Sequence, residues 1–277
     1  MTAAILLAIA ALAAQDTAID ADRPHVGTGT HVVAPDDVQV ELGVQWQGSL
    51  EAQTFGSPAL VRIGVADRFE IRVSCDGLLM RHDTTTDAYG LGNVQLGAKV
   101  RLWGDRAEPV VSVMPTINFG VASREKRFGN GATDATLTWL AGREIAGRVH
   151  LEGNYGIGLI GDDRESHFTQ HLITGAIVLQ TTKTLQTYVE AAWWSRQERG
   201  GSAVSFIDYG IIVAIRPRLL LDGGAFSGVT ASTPDWGVFS GVSFAFSRRD
   251  FHKELGRGPR ADGQRAILST QHHRVGS

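Results

Sequence analysis

The chain has 277 residues, of which 33 are Gly and one is Cys, and a formal net charge of −3. A single Cys excludes a disulfide framework and a Cys-only metal cage, and the slight acidity gives no general reason to expect nucleic acid as a partner. Hydrophobic residues at 43% exclude both a bundle of membrane helices and a mostly disordered chain, and the glycine excess over a usual ~7% points to a β-rich protein.

The chain opens on an apolar run, AAILLAIAALAA (Ala3 to Ala14), followed by the polar Gln15 and Asp16. That run is too short to cross a bilayer as a helix, which takes roughly 20 residues. It suits the hydrophobic region of a secretory signal, and Ala11-Leu12-Ala13 fits the small-x-small cleavage rule. Residues 1–14 are therefore read as a signal peptide. No Lys or Arg precedes the run, which leaves a short buried core helix as the alternative. Residues 15–37 follow as an N-terminal segment, either a periplasmic strap or a plug.

From residue 38 the pattern alternates with period two. Val38 to Gln47 sets Val38, Val40, Leu42, Val44 and Trp46 against Gln39, Glu41 and Gln45. Ala59 to Val65 carries Arg62 on its polar side, and Phe69 to Cys75 carries Glu70 and Arg72. Asn93 to Trp103 carries Lys99 and Arg101; Val111 to Phe119 follows, and Ala135 to Ala141 is weaker. Val149 to Leu159 has Glu152 on its polar side, Leu172 to Gln180 is the least regular, and Leu185 to Trp194 carries Glu190. Phe206 to Ile215 with Asp208, Leu219 to Ser227 with Asp222, and Trp236 to Phe246 bring the candidate strands to twelve. Residues 247–277 show no alternation and are rich in Lys and Arg; they read as a basic, disordered periplasmic tail.

The connections alternate too. Short ones, such as Ala66-Asp67-Arg68 and Arg216-Pro217-Arg218, are interleaved with long polar ones, such as Asp76 to Gly90 and Val121 to Asp134. Short turns at one end and long loops at the other are expected of an outer-membrane barrel and have no rationale in a soluble sandwich. All six Trp fall near the ends of candidate strands, where the indole ring would sit at the headgroup level. Alternation alone does not say which face meets solvent. Signal peptide, Trp placement and loop sorting together favour lipid on the apolar side. The fold expected is all-β: an antiparallel up-and-down transmembrane β-barrel of about twelve strands, spanning residues 38–246 of the sequence. Closure is then obligatory, because an open sheet edge in lipid leaves backbone groups unsatisfied.

The phrases ADRP (Ala21 to Pro24), ALVRIGVADRFEIRV (Ala59 to Val73) and GLGNVQLGAKVRLW (Gly90 to Trp103) resemble a bacterial outer-membrane family named for the meta-pathway of phenol degradation and often labelled simply as transporters. The resemblance is specific over the first third of the chain and looser to Phe246. It implies a barrel in the bacterial outer membrane with a role in uptake of small solutes, aromatic ones among them. It brings no catalytic residues and no cofactor. The partners expected are the lipid bilayer, a small-molecule solute and the insertion machinery that any outer-membrane barrel requires.

The expected lumen face carries Arg62, Arg72, Lys99 and Arg101 on one side and Glu152, Glu190, Asp208 and Asp222 on the other, with Glu41 and Glu70 completing the set. A three-residue turn at Ala66-Asp67-Arg68 sets Arg62 opposite Arg72. A two-residue turn would put Arg62 on the face of Ile71 and is disfavoured. Directly opposed like charges are destabilising, so an anion should sit near them, either Glu70 or a carboxylate or phenolate solute. Two readings stay open: a basic wall facing an acidic wall across a solute path, or an internal salt-bridge network that fills the barrel. A structural or adhesive barrel with a plugged lumen is one alternative function. An outer-membrane hydrolase using His82, Asp83, Asp162, Ser166 and His167 is another, although no spacing singles out a triad. Gly90-Leu91-Gly92 and Gly153 to Gly158 lack the strand-to-helix context of a nucleotide loop. His272-His273 has no further ligands at metal-binding spacing.

Overall fold

The computed structural model describes residues 19–49, 52–84, 87–104, 109–162 and 166–248. The expected signal peptide, and the tail beyond Arg248 with its His pair, lie outside them. The described residues form a closed antiparallel barrel of twelve strands with no helix. The strands are β1 (Asp37–Gly48), β2 (Ala52–Gly56, continued by Ala59–Ala66), β3 (Phe69–Cys75, continued by Leu78–Asp83), β4 (Asp87–Leu91, continued by Val94–Trp103), β5 (Val110–Phe119) and β6 (Asp134–Ile145). They go on as β7 (Val149–Gly161), β8 (His167–Gln180), β9 (Leu185–Trp194), β10 (Val204–Arg216), β11 (Leu219–Gly228) and β12 (Trp236–Ser247). Each pairs with its neighbours in sequence, and β12 closes on β1 from Asp37↔Ser247 to Gly48↔Trp236.

Two stretches read as loops are strand instead. Ala52–Gly56 pairs with the end of β1, and most of the expected loop Asp76 to Gly90 is a hairpin pairing Leu78↔Leu91 through His82↔Asp87. Their side chains do not alternate cleanly, so period-two reading passes over them, whereas the ladder needs only backbone groups. The breaks at Ser57-Pro58, Asp76-Gly77 and Gly92-Asn93 lie side by side and are bridged by Ser57 N–H to Leu78 C=O and Gly92 N–H to Gly77 C=O. With the strands running on, Gly48 to Ala52 and Asp83 to Asp87 become short connections, and the long ones at that end are confined to the loops after β5, β9 and β11.

Register in β2–β3 sets Arg62↔Arg72, Ile63↔Ile71 and Val61↔Val73. The turn itself differs from expectation. Gly64 pairs with Glu70 and Ala66 with Phe69, so Val65 is the extra residue of a bulge and the turn shrinks to Asp67-Arg68. A bulge absorbs one residue without turning the rest of the strand over.

Burial fixes the faces. Glu41, Glu70 and Lys99 are 0% exposed and Arg62 1%, whereas Val44, Ile177 and Val189 are 47%, 51% and 44% exposed. A water-soluble fold has this the other way round. The ring of Trp46 lies 6.1 Å from that of Trp236 at the long-loop end, and Trp103 is exposed at the other. Two Trp depart from the girdle. Strand β6 runs four residues past its expected end at Ala141, which leaves Trp139 mid-strand, stacked on Tyr155. Trp194 lies 5.5 Å from Phe206 and lines a cavity inside the barrel.

Candidate functional site

Residues Ile19 to Asp36 belong to no strand and run inside the barrel. The segment enters beside the β10–β11 turn, where Ile19 N–H donates to Pro217 C=O. It climbs to an apex at Val26–Thr28, where Thr28 N–H meets Asn154 Oδ1 at 2.6 Å. On the way down Thr30 C=O accepts from Ser112 Oγ at 2.7 Å and Val33 N–H donates to Glu70 Oε2 at 2.6 Å. The segment thus occupies the lumen toward the short turns and leaves beside it a cavity of about 350 Å³ lined by Ala21, His25, His31, His150, Glu152 and Gln186 among others.

Five of the sequence-read residues meet on one wall. Arg62 reaches both oxygens of Glu70, Nε at 3.0 Å and Nη2 at 3.1 Å, and its Nη1 lies 3.3 Å from Glu41 Oε1. Arg72 Nη1 lies 2.7 Å from Glu70 Oε1. Lys99 Nζ donates to Gly29 C=O at 2.7 Å and His31 C=O at 3.0 Å. A sixth group completes this cluster, and it comes from the segment: Asp22 accepts from Arg72 at 2.5 Å and from Lys99 at 3.2 Å, with Arg62 at 3.5 Å. Three cations are thereby balanced by three carboxylates. Burial alone would raise the Asp22 carboxyl, but Arg62, Lys99 and Arg72 outweigh it and hold it well below the usual carboxylate range. The anion demanded by the Arg62–Arg72 pair is supplied twice, by Glu70 and by Asp22.

The acidic residues lie on β7 to β11 and meet the next residues of the segment. Arg23 donates from Nη2 to Asp222 Oδ1 at 3.1 Å and to Ser240 C=O at 3.2 Å. Its guanidinium rests over Gly43 and Gly241, a cross-strand pair of β1 and β12 at which any Cβ would run into it. Glu190 receives two successive backbone amides, Val26 and Gly27, each at 2.8 Å; a side chain on Gly27 would strike that carboxylate and Thr174. Asp208 is the direct cross-strand neighbour of Glu190. Glu152 sits 3.1 Å from His150 and 3.8 Å from His25. Arg101 does not join either wall: it lies at the short-turn rim and donates to Asp67 C=O at 2.9 Å.

Above the segment the lumen opens into a cavity of about 1220 Å³ lined by Arg124, Arg127, Phe128, Phe168, Trp194 and Arg199 among others. The sequence places these residues in loops or girdle; no local pattern marks a loop that folds back over a barrel mouth. The residues weighed for hydrolysis do not form a catalytic set. Ser166 Oγ bonds Asp162 at 2.9 Å and accepts from Arg199 at 2.7 Å, while His167 Nε2 faces Thr133 C=O at 3.3 Å. His82 is paired with Asp87.

A closed barrel with aliphatic side chains outside, charges within and Trp at both rims is an outer-membrane β-barrel, and its place is the bacterial outer membrane. The chain belongs to the family described as "Putative MetA-pathway of phenol degradation", matched over residues 21–246, a span that includes most of the lumen segment. A crystallised outer membrane channel from Pseudomonas putida F1 superposes with a TM-score of 0.63 at 8% identity, covering 80% of this chain and 100% of that one. The NanC porin superposes with a TM-score of 0.51 at 13% identity, covering 75% and 98%. At these identities the likeness is one of fold. No curated protein sequence matches the chain.

Proposed function

We propose that the protein is a channel for small polar solutes, anionic and aromatic ones included, and that residues 19–36 act as a plug in its inner half. The observation that carries this reading is the way the segment is held. It takes no part in the sheet and is seated by side-chain hydrogen bonds and ion pairs from Glu41, Arg62, Glu70, Lys99, Glu190 and Asp222. Every one of those wall groups is a charge that a passing solute or water could satisfy instead. A barrel meant only to be filled needs no such exchangeable contacts; eight strands close over packed side chains, and larger barrels enclose cavities or channels. The outer cavity gives solutes a wide, polar entrance lined by both signs of charge, Arg124, Arg127 and Arg199 with Asp134, Asp162 and Glu198. The Phe and Trp rings beside them suit aromatic solutes.

The test is ion current. Purified full-length protein reconstituted in planar bilayers should pass discrete KCl currents that interconvert between closed and open levels. A silent membrane, with insertion verified by protease protection in vesicles, would leave the structural or adhesive barrel as the better account.

A further inference from the structure

We infer that the basic cluster and the adjoining acidic side at Asp222 together form a binding site for small dipolar solutes, with a carboxylate at one end and an ammonium or guanidinium at the other. On this inference the adjacent side chains of Asp22 and Arg23 are a tethered occupant of that site. The inference rests on the channel reading for its physiological use and on geometry for the site itself.

Two neighbouring residues of one segment reach two adjoining charge sites, Asp22 the basic cluster of β1 to β4 and Arg23 the acidic side at β11, β12 and β1. Asp22 completes a cluster in which Arg62, Arg72 and Lys99 otherwise face only Glu41 and Glu70, so that without it the wall is short of one negative charge. Arg23 is seated over two glycines against Asp222, and without it Asp222 lacks its cation. Both sites are built: Arg62, Glu70 and Lys99 on one side are at least 99% buried, and the Asp222 side chain on the other is 2% exposed.

The acidic wall holds more capacity than Arg23 uses. Asp208 Oδ1, Tyr188 Oη and His25 Nε2 are buried and without a hydrogen-bond partner. The His25 ring stands edge-on to Tyr188 at 4.2 Å, beside the Glu190–Asp208 pair. Buried polar atoms left in this state are costly, and an ammonium with three donors would satisfy acceptors here that a backbone amide does not reach. Among the described residues no group of His, Cys, Asp or Glu is placed to cage a metal ion. The solute class that meets both walls at once is the amino acid, ω-amino acid or short zwitterionic peptide.

The experiment compares three probes of equal length on the full-length protein in detergent: ε-aminocaproate, ε-hydroxycaproate and aminohexanol, by titration calorimetry. The Asp22→Asn/Arg23→Gln variant frees both poles. It should bind ε-aminocaproate about tenfold more tightly than either singly charged analogue, the worth of one charge-assisted hydrogen bond. Wild type, with its own pair in place, should bind the zwitterion more weakly than the variant. Adding Asp222→Asn should abolish the preference for the zwitterion over the hydroxy acid. Folding is checked by heat-modifiable migration in gels. If the double variant does not fold, the single variants decide: Asp22→Asn should gain affinity for ε-hydroxycaproate and Arg23→Gln for aminohexanol. Equal binding of all three probes, preference for a singly charged one, or no binding overturns the site. KCl current measured on the same proteins separates the two readings. Selective binding without current overturns the channel and supports the site, and current without selective binding does the reverse.

Discussion

Asp22 is the one carboxylate of the basic cluster that the barrel does not itself supply, so its removal acts on the segment and not on the sheet. Asp22→Asn leaves Arg62, Arg72 and Lys99 with two carboxylates, and breaking a buried ion pair from one side costs about 3 kcal/mol or more. The seated state of the plug should then lose about a hundredfold in population, read as a matching rise in open-level dwell time in bilayers. The pH dependence has a definite sign. The Asp22 carboxyl is depressed in the folded protein, so its contribution is fully present above its ordinary value of 3.8 and fades as pH falls below that. The difference in open probability between wild type and Asp22→Asn should be constant from about pH 7 to about pH 5 and shrink only below about pH 4. Narrowing of that difference near neutrality would assign the latch to another group. Gly43 offers a steric counterpart. A Val there occupies the place of the Arg23 guanidinium; overpacking of this kind costs about 1–3 kcal/mol. Gly43→Val should therefore raise open probability while the barrel still resists heat and detergent.

At the scale of the strand, the joint between β1 and β12 decides whether the sheet is closed. Leu42 and Val242 face each other across it, and opposed Cα atoms in an antiparallel pair lie about 4.5–5.5 Å apart, within disulfide range. In a Cys75→Ala background, Leu42→Cys/Val242→Cys should oxidise to a near-complete intramolecular disulfide in membranes, seen as a mobility shift after denaturation. A chain that stays reduced would mean an open sheet. The strands were legible in the sequence because one face of each is aliphatic: Val38 to Trp46 and Phe69 to Cys75 announce themselves by alternation, and Arg62 opposite Arg72 followed from register alone. Ala52–Gly56 and Leu78–Leu91 were not legible, since their ladders are made of backbone groups and their side chains carry no period. The charged residues of both walls could be named in advance for the same reason as the strands. Asp22 and Arg23 could not be given their places, because irregular backbone carries no face. The Gly43↔Gly241 pair was the available trace, two small residues on adjacent strands where alternation alone asks for nothing small.

For the molecule as a whole, everything depends on the aliphatic face touching hydrocarbon. Val189 tests it. It sits in mid-β9 between Ile177 of β8 and Tyr209 of β10, exposed with both of them at 44%, 51% and 49%. An exposed residue in a water-soluble fold takes almost any substitution within about 0.5 kcal/mol. On a lipid face the cost depends on depth, about 2–4 kcal/mol for Arg at the midplane and about 0–1 near the interfaces. Thr181, exposed at the β8–β9 turn, is the shallow control. In urea titrations of folding into phosphatidylcholine vesicles, Val189→Arg should lower the unfolding free energy by about 2–4 kcal/mol and Thr181→Arg by less than about 1. Two Arg substitutions of equal and small effect would place this face in water, and the buried charges of Glu41, Glu70 and Lys99 would then need another explanation. The predicted gradient has no source in the protein alone, since both side chains are exposed and neither makes a charge pair; only a slab of hydrocarbon around the barrel makes the deeper one expensive.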